Sequence, residues 1–400
     1  MKIAIIGAGA AGMAAAIAAS ASGANEVILF ERQARVGKKL LATGNGRCNL
    51  SNLHADVSHY HGADPSFVEP ALKMFPVQKT LEFFRSIGLY TVEEPSGRIY
   101  PYSDQANSVV DVLRFALDRK NLTLYTGTEI TRVQHTDDGF LIRSSESSFH
   151  SDRLIVACGG AAGAKIGGSL SGYLLLRSLG HHCTRLYPSL VQLKTNTELV
   201  RSLKGVRSNA KIRLLLNGCL LAEAAGEIQF TEYGVSGPAV FDLSRAASTA
   251  EGGDLHIDLL PNLSSEDLLS SLCIRTSSFP HLKCEDLLTG ILHNRLGRVI
   301  LRSCGISLET PITDLAWKQL DAVALACHDF VLHVQGTTGM EGAQVTAGGI
   351  CTQEFSAETM GSRIVSGLYA AGEVLDIDGD CGGYNLQWAW SSGLLAGQLR

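Results

Sequence analysis

The sequence predicts an α/β fold in which both ends of the chain build one parallel-sheet domain around a central insertion. Glycine is the first reason: it accounts for 42 of the 400 residues, well above the typical share of about 7%. The second is a strand, a glycine-rich loop, a helix and another strand that follow one another within residues 3–31. The third is a change of texture after Pro188, where short apolar runs alternate with turn residues.

Composition narrows the class of protein. A hydrophobic share of 45% with 18% charged residues is that of a globular chain, because disordered chains are poorer in apolar residues. The net charge of −5 gives no global attraction to nucleic acid or to an anionic membrane. Ten cysteines occur without C-x-x-C or disulfide-framework spacing. That usage is typical of the reducing cytoplasm, which is the expected location.

The N-terminal run of residues 3–25 is uncharged, so a signal peptide or a membrane span is an alternative. The run is mostly alanine, lacks leucine and is interrupted by glycines, so its transfer into a bilayer is poorly favoured. A buried βαβ unit explains it better. We expect strand Ile3–Ile6, helix Met13–Ser22 and strand Val27–Glu31.

The loop between this strand and helix carries a phosphate-binding pattern. Gly7–Gly12 reads G-A-G-A-A-G, and Glu31 follows Gly12 by 19 residues at the end of the second strand. In such a pattern the first glycine permits a tight turn, the second admits a pyrophosphate and the third packs helix on strand, while the acid accepts ribose hydroxyls. The pattern predicts an adenine dinucleotide; the alternative is a glycine-rich turn without a ligand.

The C-terminal segment favours FAD over NAD. Gly367–Ala371 predicts a strand that is followed directly by Gly372 and Glu373, and Gly382–Asn385 opens a helix. An acid after such a strand suits the ribityl chain or pyrophosphate of FAD, and a helix N-terminus suits the pyrimidine edge of a reduced flavin. The alternative is an ordinary strand, loop and helix with surface acids.

Five segments carry a specific resemblance. They are Thr43–Asn49 (T-G-N-G-R-C-N), Ser96–Pro101, Phe230–Pro238, Gly372–Gly379 and Gly382–Gln387. Together they resemble the signatures of the BaiN/RdsA family of NAD(P)/FAD-dependent oxidoreductases, which is related in fold to the glutathione-reductase-type flavoproteins. The resemblance covers the whole chain. One departure is Cys381, where relatives often carry threonine.

The resemblance implies a Rossmann-like FAD-binding domain with an inserted β-rich domain and a small helical domain. The FAD-binding domain is expected at residues 1–190 and 346–400. The β-rich substrate domain is expected at 191–262 and 331–345, and the helical domain at 263–330.

The residues expected to contact FAD lie in the glycine-rich loops and their flanks. They are Gly7, Gly9, Ala10, Ala11, Gly12, Glu31, Lys39, Thr43, Gly44, Gly46, Arg47, Ile130, Gly159, Gly160, Gly372, Glu373, Gly383, Tyr384, Asn385 and Leu386. NAD(P)H is the expected transient reductant. Gly159–Gly163 lacks the G-x-G order of a second dinucleotide site, so the nicotinamide is expected to meet the flavin directly.

The family activities include reduction of an activated C=C bond, which needs a proton donor beside the hydride source. Cys48 is the first candidate, because a thiol next to Arg47 can act as an acid; the alternative is a buried spacer in the flavin loop. Arg47 and Arg98 are candidates to orient a carbonyl or phosphate, and surface or flavin-phosphate pairing is the alternative. Tyr100 and Tyr384 are weaker acid candidates, with packing as the default.

No metal is expected. His59 and His61 form an H-x-H pair, but no neighbouring cysteine or carboxylate pattern completes a metal site.

The resemblance leaves the substrate open, because family members act on a uridine in large-subunit ribosomal RNA, on steroid-like bile acid intermediates and on amines. The favoured hypothesis is reduction of ribosomal RNA uridine to dihydrouridine, since basic residues crowd one stretch of the insertion. They are Lys194, Arg201, Lys204, Arg207, Lys211 and Arg213. The alternatives are a small-molecule flavoenzyme, either a steroid-type enoyl reductase or an amine oxidase, and an FAD-bearing RNA-binding protein without turnover.

Overall fold

The computed structural model describes residues 1–250 and 252–399. They form two units, Met1–Tyr187 with Ala343–Arg400 and Pro188–Gly342. The expected division of the insertion into a β-rich and a helical domain stays a prediction.

The first unit contains the elements on both sides of the insertion. Before it lie β1 Lys2–Ile6, α1 Ala10–Ser20, β2 Glu26–Phe30, β3 Ser51–Asn52, β4 Tyr60–His61, α2 Glu69–Met74, α3 Val77–Ser86, β5 Thr91–Glu93, β6 Arg98–Pro101, α4 Ala106–Leu117, β7 Leu122–Tyr125, β8 Ile130–Thr136, β9 Gly139–Ser144, β10 Ser148–Ser151, β11 Arg153–Val156 and α5 Ser171–Ser178.

A second set of elements follows, beginning with β12, which spans the boundary between the two units. They are β12 Tyr187–Ser189, β13 Leu193–Thr195, α6 Thr197–Val200, β14 Arg207–Leu216, β15 Cys219–Phe230, β16 Gly234–Ser236, α7 Pro238–Ala250, β17 Gly253–Asp258, α8 Ser265–Ser278, α9 Asn294–Ser303, α10 Trp317–His328, β18 Phe330–Thr337 and α11 Gly339–Gly342. The first unit then resumes with β19 Val345–Ala347, β20 Leu368–Ala370, β21 Asp378–Gly379 and α12 Tyr384–Ala396.

The centre of the first unit is a five-stranded sheet in the order β20-β11-β1-β2-β7. All four strand pairs are parallel, as the apolar, βαβ-connected strands predict. Because β20 comes from the C-terminal segment, both ends of the chain contribute to one sheet. The predicted α/β Rossmann-like fold is confirmed.

Helix α1 begins at Ala10, three residues earlier than the sequence pattern predicts. Gly9 is its N-cap, and the N–H of Met13 donates to the carbonyl oxygen of Gly9 at 3.0 Å, so the first helical turn lies inside the glycine pattern. Helix α12 packs closely on α1 at Gly393, where a Cβ would lie 2.4 Å from the carbonyl oxygen of Ala11. The alanine-rich run is therefore a buried packing surface.

Two of the smaller sheets lie near the start of α12. One has the order β3-β6-β5 and the other pairs β21 with β4, so that Asp378 lies opposite His61. The second sheet pairs an N-terminal strand with residues that precede α12, and from the first sheet the Asn52 side chain donates to the carbonyl oxygen of Gly382 at 2.9 Å.

The second unit contains a closed barrel in the order β13-β16-β15-β14-β17-β18. The sequence pattern predicts mainly β structure for residues 191–258, and the structure adds the helix α7, which buries Val240, Leu243 and Ala247. Short apolar runs lie on either side of these helically spaced residues. Over so few residues, hydrophobic periodicity does not distinguish a helix from a strand.

Within the described part of the chain, no helix is both long and apolar enough to cross a membrane.

Candidate functional site

Four predicted cofactor loops meet at one edge of the central sheet. Gly7 follows β1, Glu31 follows β2, Gly159 follows β11 and Gly372 follows β20. These four strands are neighbours and run parallel. Their carboxyl ends therefore share an edge, which is where open α/β sheets bind ligands.

Two glycines of the first loop are required by the protein itself. Gly7 has φ +102°, and a Cβ there would lie 2.5 Å from the carbonyl oxygen of Ala157. A Cβ at Gly12 would lie 1.7 Å from the carbonyl oxygen of Gly7. Both positions exclude any larger residue because backbone atoms fill the space.

Gly9 is different. Its φ of −83° suits any residue, and a Cβ there would meet no heavy atom within 4 Å. The first turn of α1, at Ala10 and Ala11, has no acidic residue and no side-chain cap. Its N–H groups point out of a helix N-terminus, which is a ready anion site. Open space in front of uncapped N–H groups fits a pyrophosphate.

Two backbone N–H groups hold the Glu31 carboxylate. Its Oε2 accepts from the N–H of Ala8 at 2.9 Å, and its Oε1 accepts from the N–H of Gln33 at 2.8 Å. Each carboxylate oxygen keeps a further lone pair for a ribose hydroxyl. The N–H of Thr128 donates to the Glu31 carbonyl oxygen, and Ile130 follows it, buried at the start of β8. The dinucleotide's adenosine end is thus expected beside Glu31 and Ile130.

Lys39 forms an ion pair with Glu373, with Nζ 2.8 Å from Oε2. Glu373 Oε1 also accepts from the N–H of Thr346 at 2.9 Å. A Cβ at Gly160 would lie 2.3 Å from Glu373 Oε1, so this glycine makes room for the carboxylate. The pair joins the loops after β11 and β20 to the segment that follows β2.

Replacing Lys39 with methionine is expected to lower the free energy of unfolding by about 1–3 kcal/mol, because a partly buried carboxylate loses its charged donor. Chemical denaturation of the apoprotein measures this. Lys38→Met is the control, since Lys38 is exposed and its Nζ donates to the side-chain oxygen of Gln33. Equal stabilities of the two variants would show that the Lys39–Glu373 pair contributes nothing.

The start of α12 carries the second half of the predicted flavin site. Gly383 is the N-cap with φ +105°, and a Cβ there would lie 2.4 Å from the carbonyl oxygen of Ser51. Tyr384 is buried, Leu386 is partly buried, and the Asn385 side chain ties the turn together by donating to and accepting from Gly379.

Asn49 supplies an independent sign of a ligand. Its Oδ1 is buried and accepts no hydrogen bond from the described residues, and it lies 2.9 Å from the Cβ position of Gly383. A buried acceptor without a donor is costly. An isoalloxazine ring offers the N–H donor that this oxygen lacks, so the residues present fit FAD.

The loop Thr43–Cys48 lies against the same region. Gly44 has φ +56°, and a Cβ there would lie 2.7 Å from the N of Asn49; Gly46 opens on free space. Cys48 is fully buried, and burial raises the pKa of its thiol to about 11 although the Thr43 hydroxyl opposes the rise. This environment favours a spacer role, and the acid role of Cys48 stays a prediction.

The two arginines differ in what they contact. Arg47 pairs with Glu94 at 2.8 Å and with Asp104, and its guanidinium lies 4.0 Å from the centre of the Tyr100 ring. No ion pair or side-chain hydrogen bond is seen for Arg98 within residues 1–250 and 252–399. Its Nε lies 3.7 Å from the Cβ position of Gly382. Arg98 is therefore the arginine with donors available to a substrate.

Sequence reasoning missed several contacts. The sequence motif predicts no role for Asn49, and the H-x-H spacing of His59 and His61 suggests only a metal site. Both histidines bond to Asp380, which is more than 300 positions away in the chain. No local pattern signals such a partner. Among the described residues, no group of three or more His, Cys, Asp or Glu side chains is arranged to hold a metal ion.

The six basic residues of the insertion all lie exposed in the second unit. Four of them are opposed by acids: Lys204–Glu232 at 2.8 Å, Arg207–Glu227 at 3.3 Å, Lys211–Glu223 at 3.4 Å and Arg213–Asp329 at 3.7 Å. Paired side chains attract phosphate less strongly, because the neighbouring carboxylates offset their charge. Lys194 and Arg201 are the other two of the six basic residues.

The fold and the site define an FAD-dependent oxidoreductase, and comparison with known proteins agrees. The family model described as HI0933-like protein Rossmann domain matches residues 1–399. The chain belongs to this family, and the resemblance to BaiN/RdsA proteins is confirmed.

Two relatives are similar over nearly their whole length. A 3-dehydro-bile acid delta(4,6)-reductase of Clostridium scindens is 43% identical over 402 residues, covering 99% of this chain and 98% of the relative. A ribosomal RNA dihydrouridine synthase of Escherichia coli is 30% identical over 390 residues, covering 97% and 95%. The solved 3-ketosteroid delta1-dehydrogenase of Sterolibacterium denitrificans shares the fold, with a TM-score of 0.51, 12% identity and coverage of 99% and 98%.

Proposed function

We propose that this enzyme uses NAD(P)H to reduce a C=C bond conjugated to a carbonyl in a small, largely apolar substrate of the steroid-enone type. Reduced FAD supplies the hydride when it is bound. The chain's own residues position the substrate and provide the proton. The observation that carries the proposal is an exposed apolar surface on the same sheet face as Arg98.

This apolar surface is one face of the sheet β3-β6-β5 and consists of Tyr90, Val92 and Tyr102. Val92 lies opposite Tyr100, and the N–H of Tyr102 donates to the carbonyl oxygen of Tyr90. Opposed residues in an antiparallel pair share a face, so Tyr100 and Arg98 lie on the same face as Val92, and Tyr100 itself is buried beneath Arg47. Tyr90 is 68% exposed, Val92 40% and Tyr102 76%. Large exposed aromatic side chains grouped in this way mark binding surfaces.

Arg98 lies on the same face of β6, two residues before Tyr100. A guanidinium donates two parallel N–H groups, which suits an enone carbonyl oxygen that gains negative charge as the β-carbon is attacked. Arg47 is less suited, because Glu94 and Asp104 already hold its guanidinium. The arrangement therefore pairs an apolar platform with one available cation.

The relatives support the same substrate class. The Clostridium scindens relative, at 43% identity, is named for reduction of a bile acid.

All ten cysteines are free thiols, which supports a reducing compartment such as the cytoplasm.

Uridine in ribosomal RNA is the second candidate. Two ribosomal RNA dihydrouridine synthases, at 30% and 29% identity, favour it, and a uracil ring also holds a C=C bond conjugated to a carbonyl. The ion pairs on four of the six basic residues weigh against it, since RNA affinity depends on phosphate neutralisation.

One assay separates the candidates. The purified enzyme with FAD and NAD(P)H is incubated with a steroid 4-en-3-one and, in a separate reaction, with unmodified large-subunit ribosomal RNA. The masses of the products are measured by mass spectrometry. The proposal expects a gain of two hydrogens in the steroid and none in the RNA. Reduction of the RNA alone would overturn it in favour of dihydrouridine synthesis.

Replacing Tyr102 with alanine is expected to raise KM for the steroid roughly tenfold with kcat unchanged. The reason is that the platform loses apolar contact area with the bound rings. Steady-state kinetics measures this, with Phe115→Ala as control because Phe115 is a similarly exposed aromatic residue on α4. A KM that rises equally in both variants would remove the platform from substrate binding.

A further inference from the structure

A carboxylate shared by two imidazoles lies beside the first turn of α12. His59 Nδ1 is 3.0 Å from Asp380 Oδ2, and His61 Nε2 is 2.7 Å from Asp380 Oδ1. The side chains are 30%, 37% and 28% exposed for His59, His61 and Asp380. Both rings thus contact solvent at one side and a fixed carboxylate at the other.

This cluster is continuous with the candidate site. The His59 ring stacks on the Tyr384 ring, with centroids 4.1 Å apart and planes at 17°. The Tyr384 ring lies 3.3 Å from the Cβ position of Gly382, and Arg98 Nε lies 3.7 Å from that position. His59, Tyr384, Gly382 and Arg98 therefore form one row along the turn that begins α12.

The reduction needs an acid that the other candidates supply poorly. Cys48 is fully buried, and burial raises its pKa to about 11. Tyr100 is covered by Arg47, and burial raises its pKa despite the opposing charge of Arg98. A histidine is the side chain whose ordinary titration range matches proton transfer near neutral pH.

We propose that His59 is the general acid of this enzyme and that Asp380 orients it. The inference rests on the proposed reduction of a conjugated C=C bond. Asp380 occupies the Nδ1 side of the ring, which leaves Nε2 on the opposite side to act on the substrate. The same division of the two ring nitrogens between a carboxylate and a reacting group is a general feature of histidine catalysts.

Hydride addition to the β-carbon breaks the C=C π bond and leaves its electron pair on the enolate formed by the α-carbon and the carbonyl. The Nε2–H bond of the protonated His59 breaks, its proton forms the new C–H bond at the α-carbon, and the electron pair stays on Nε2. The neutral ring is then reprotonated from solvent.

Two carboxylates lie near the His59 ring. Burial would raise the pKa of the Asp380 carboxyl, but hydrogen bonds from His61 and His59 outweigh burial and lower it. Asp56 lies on the turn that holds His59, and hydrogen bonds from Ser58 lower its pKa, with smaller contributions from the nearby histidines. Both carboxylates are therefore ionised near neutral pH.

Two substitutions of His59 separate an acid from a structural residue. His59→Phe keeps a ring for the stack on Tyr384, and His59→Asn keeps an N–H donor for Asp380. Turnover of the enone is expected to fall by about 10²–10⁴-fold in both, with FAD affinity unchanged. His333→Phe is the control, because His333 pairs with Asp254 at 2.9 Å in the second unit. Turnover restored in His59→Asn, or retained in His59→Phe, would overturn the proposal.

A second measurement tests the pair without any substrate. The carboxyl ¹³C signal of Asp380 is titrated by NMR in the apoprotein. His59→Phe is expected to move its midpoint to higher pH, because one hydrogen bond that lowers the Asp380 pKa is lost. His59→Asn should leave the midpoint near that of the native protein. An unchanged midpoint in His59→Phe would contradict the pairing even if the substrate assignment were wrong.

Discussion

Gly9→Val is expected to weaken FAD binding by at least about 100-fold, or roughly 2.7 kcal/mol, while the apoprotein folds normally. A Cβ at this position meets no protein atom within 4 Å, and its φ of −83° is open to valine. The effect on folding should stay below about 1 kcal/mol, because the poorer N-cap and the stiffer unfolded chain nearly offset each other. The added branches instead fill the space in front of the first turn of α1.

Calorimetric titration of the apoprotein with FAD measures the loss, and thermal unfolding of the apoprotein checks the fold. Gly12→Ala is the informative comparison, since its Cβ would lie 1.7 Å from the carbonyl oxygen of Gly7. Gly12→Ala should therefore lower both the stability of the apoprotein and its affinity for FAD. Normal FAD affinity in Gly9→Val would mean that the space before α1 does not hold the pyrophosphate.

Arg98→Gln is expected to lower kcat/KM for the enone by about 10²–10³-fold, the usual cost of removing one donor to a developing oxyanion. Arg98 is the arginine beside Gly382 whose side chain has no ion pair among the described residues. Its loss therefore breaks no salt bridge, and stability should change little. Arg98→Lys should recover only part of the activity, because an ammonium lacks the planar fork.

Steady-state kinetics and chemical denaturation give the two readouts for Arg98. Arg132→Gln is a matched control, since Arg132 is an exposed arginine on β8. If Arg98→Gln retains native kcat/KM, the carbonyl is held elsewhere and Arg98 is only a surface cation.

The sequence predicted the parallel sheet of the first unit well, because the pattern that predicts it lies within a short stretch of chain. Glycine spacing, strand length and the position of Glu31 are read within about thirty residues, and parallel pairing then brings the ends of β1, β2, β11 and β20 together. The sequence pattern predicts the start of α1 three residues too late, because glycine and alanine carry no periodic signal. Contacts of the predicted cofactor residues with FAD itself stay predictions.

The substrate half was harder to predict, because its contacts join distant segments. Asp380 meets His59 and His61 only through the pairing of β21 with β4. Likewise, the acids opposite the basic stretch come from neighbouring barrel strands and loops. The sequence therefore showed an apparently free basic patch where the structure shows ion pairs, for example between Lys204 and Glu232.

The central claim is that this protein is an FAD-dependent enone reductase, and anaerobic single-turnover spectroscopy tests it most directly. The enzyme is loaded with FAD, reduced with one equivalent of NAD(P)H, and mixed without oxygen with a steroid 4-en-3-one. The account predicts that the oxidised flavin absorbance returns while one equivalent of the saturated ketone forms. A flavin that stays reduced with the enone, yet is reoxidised by uridine in ribosomal RNA, would contradict it.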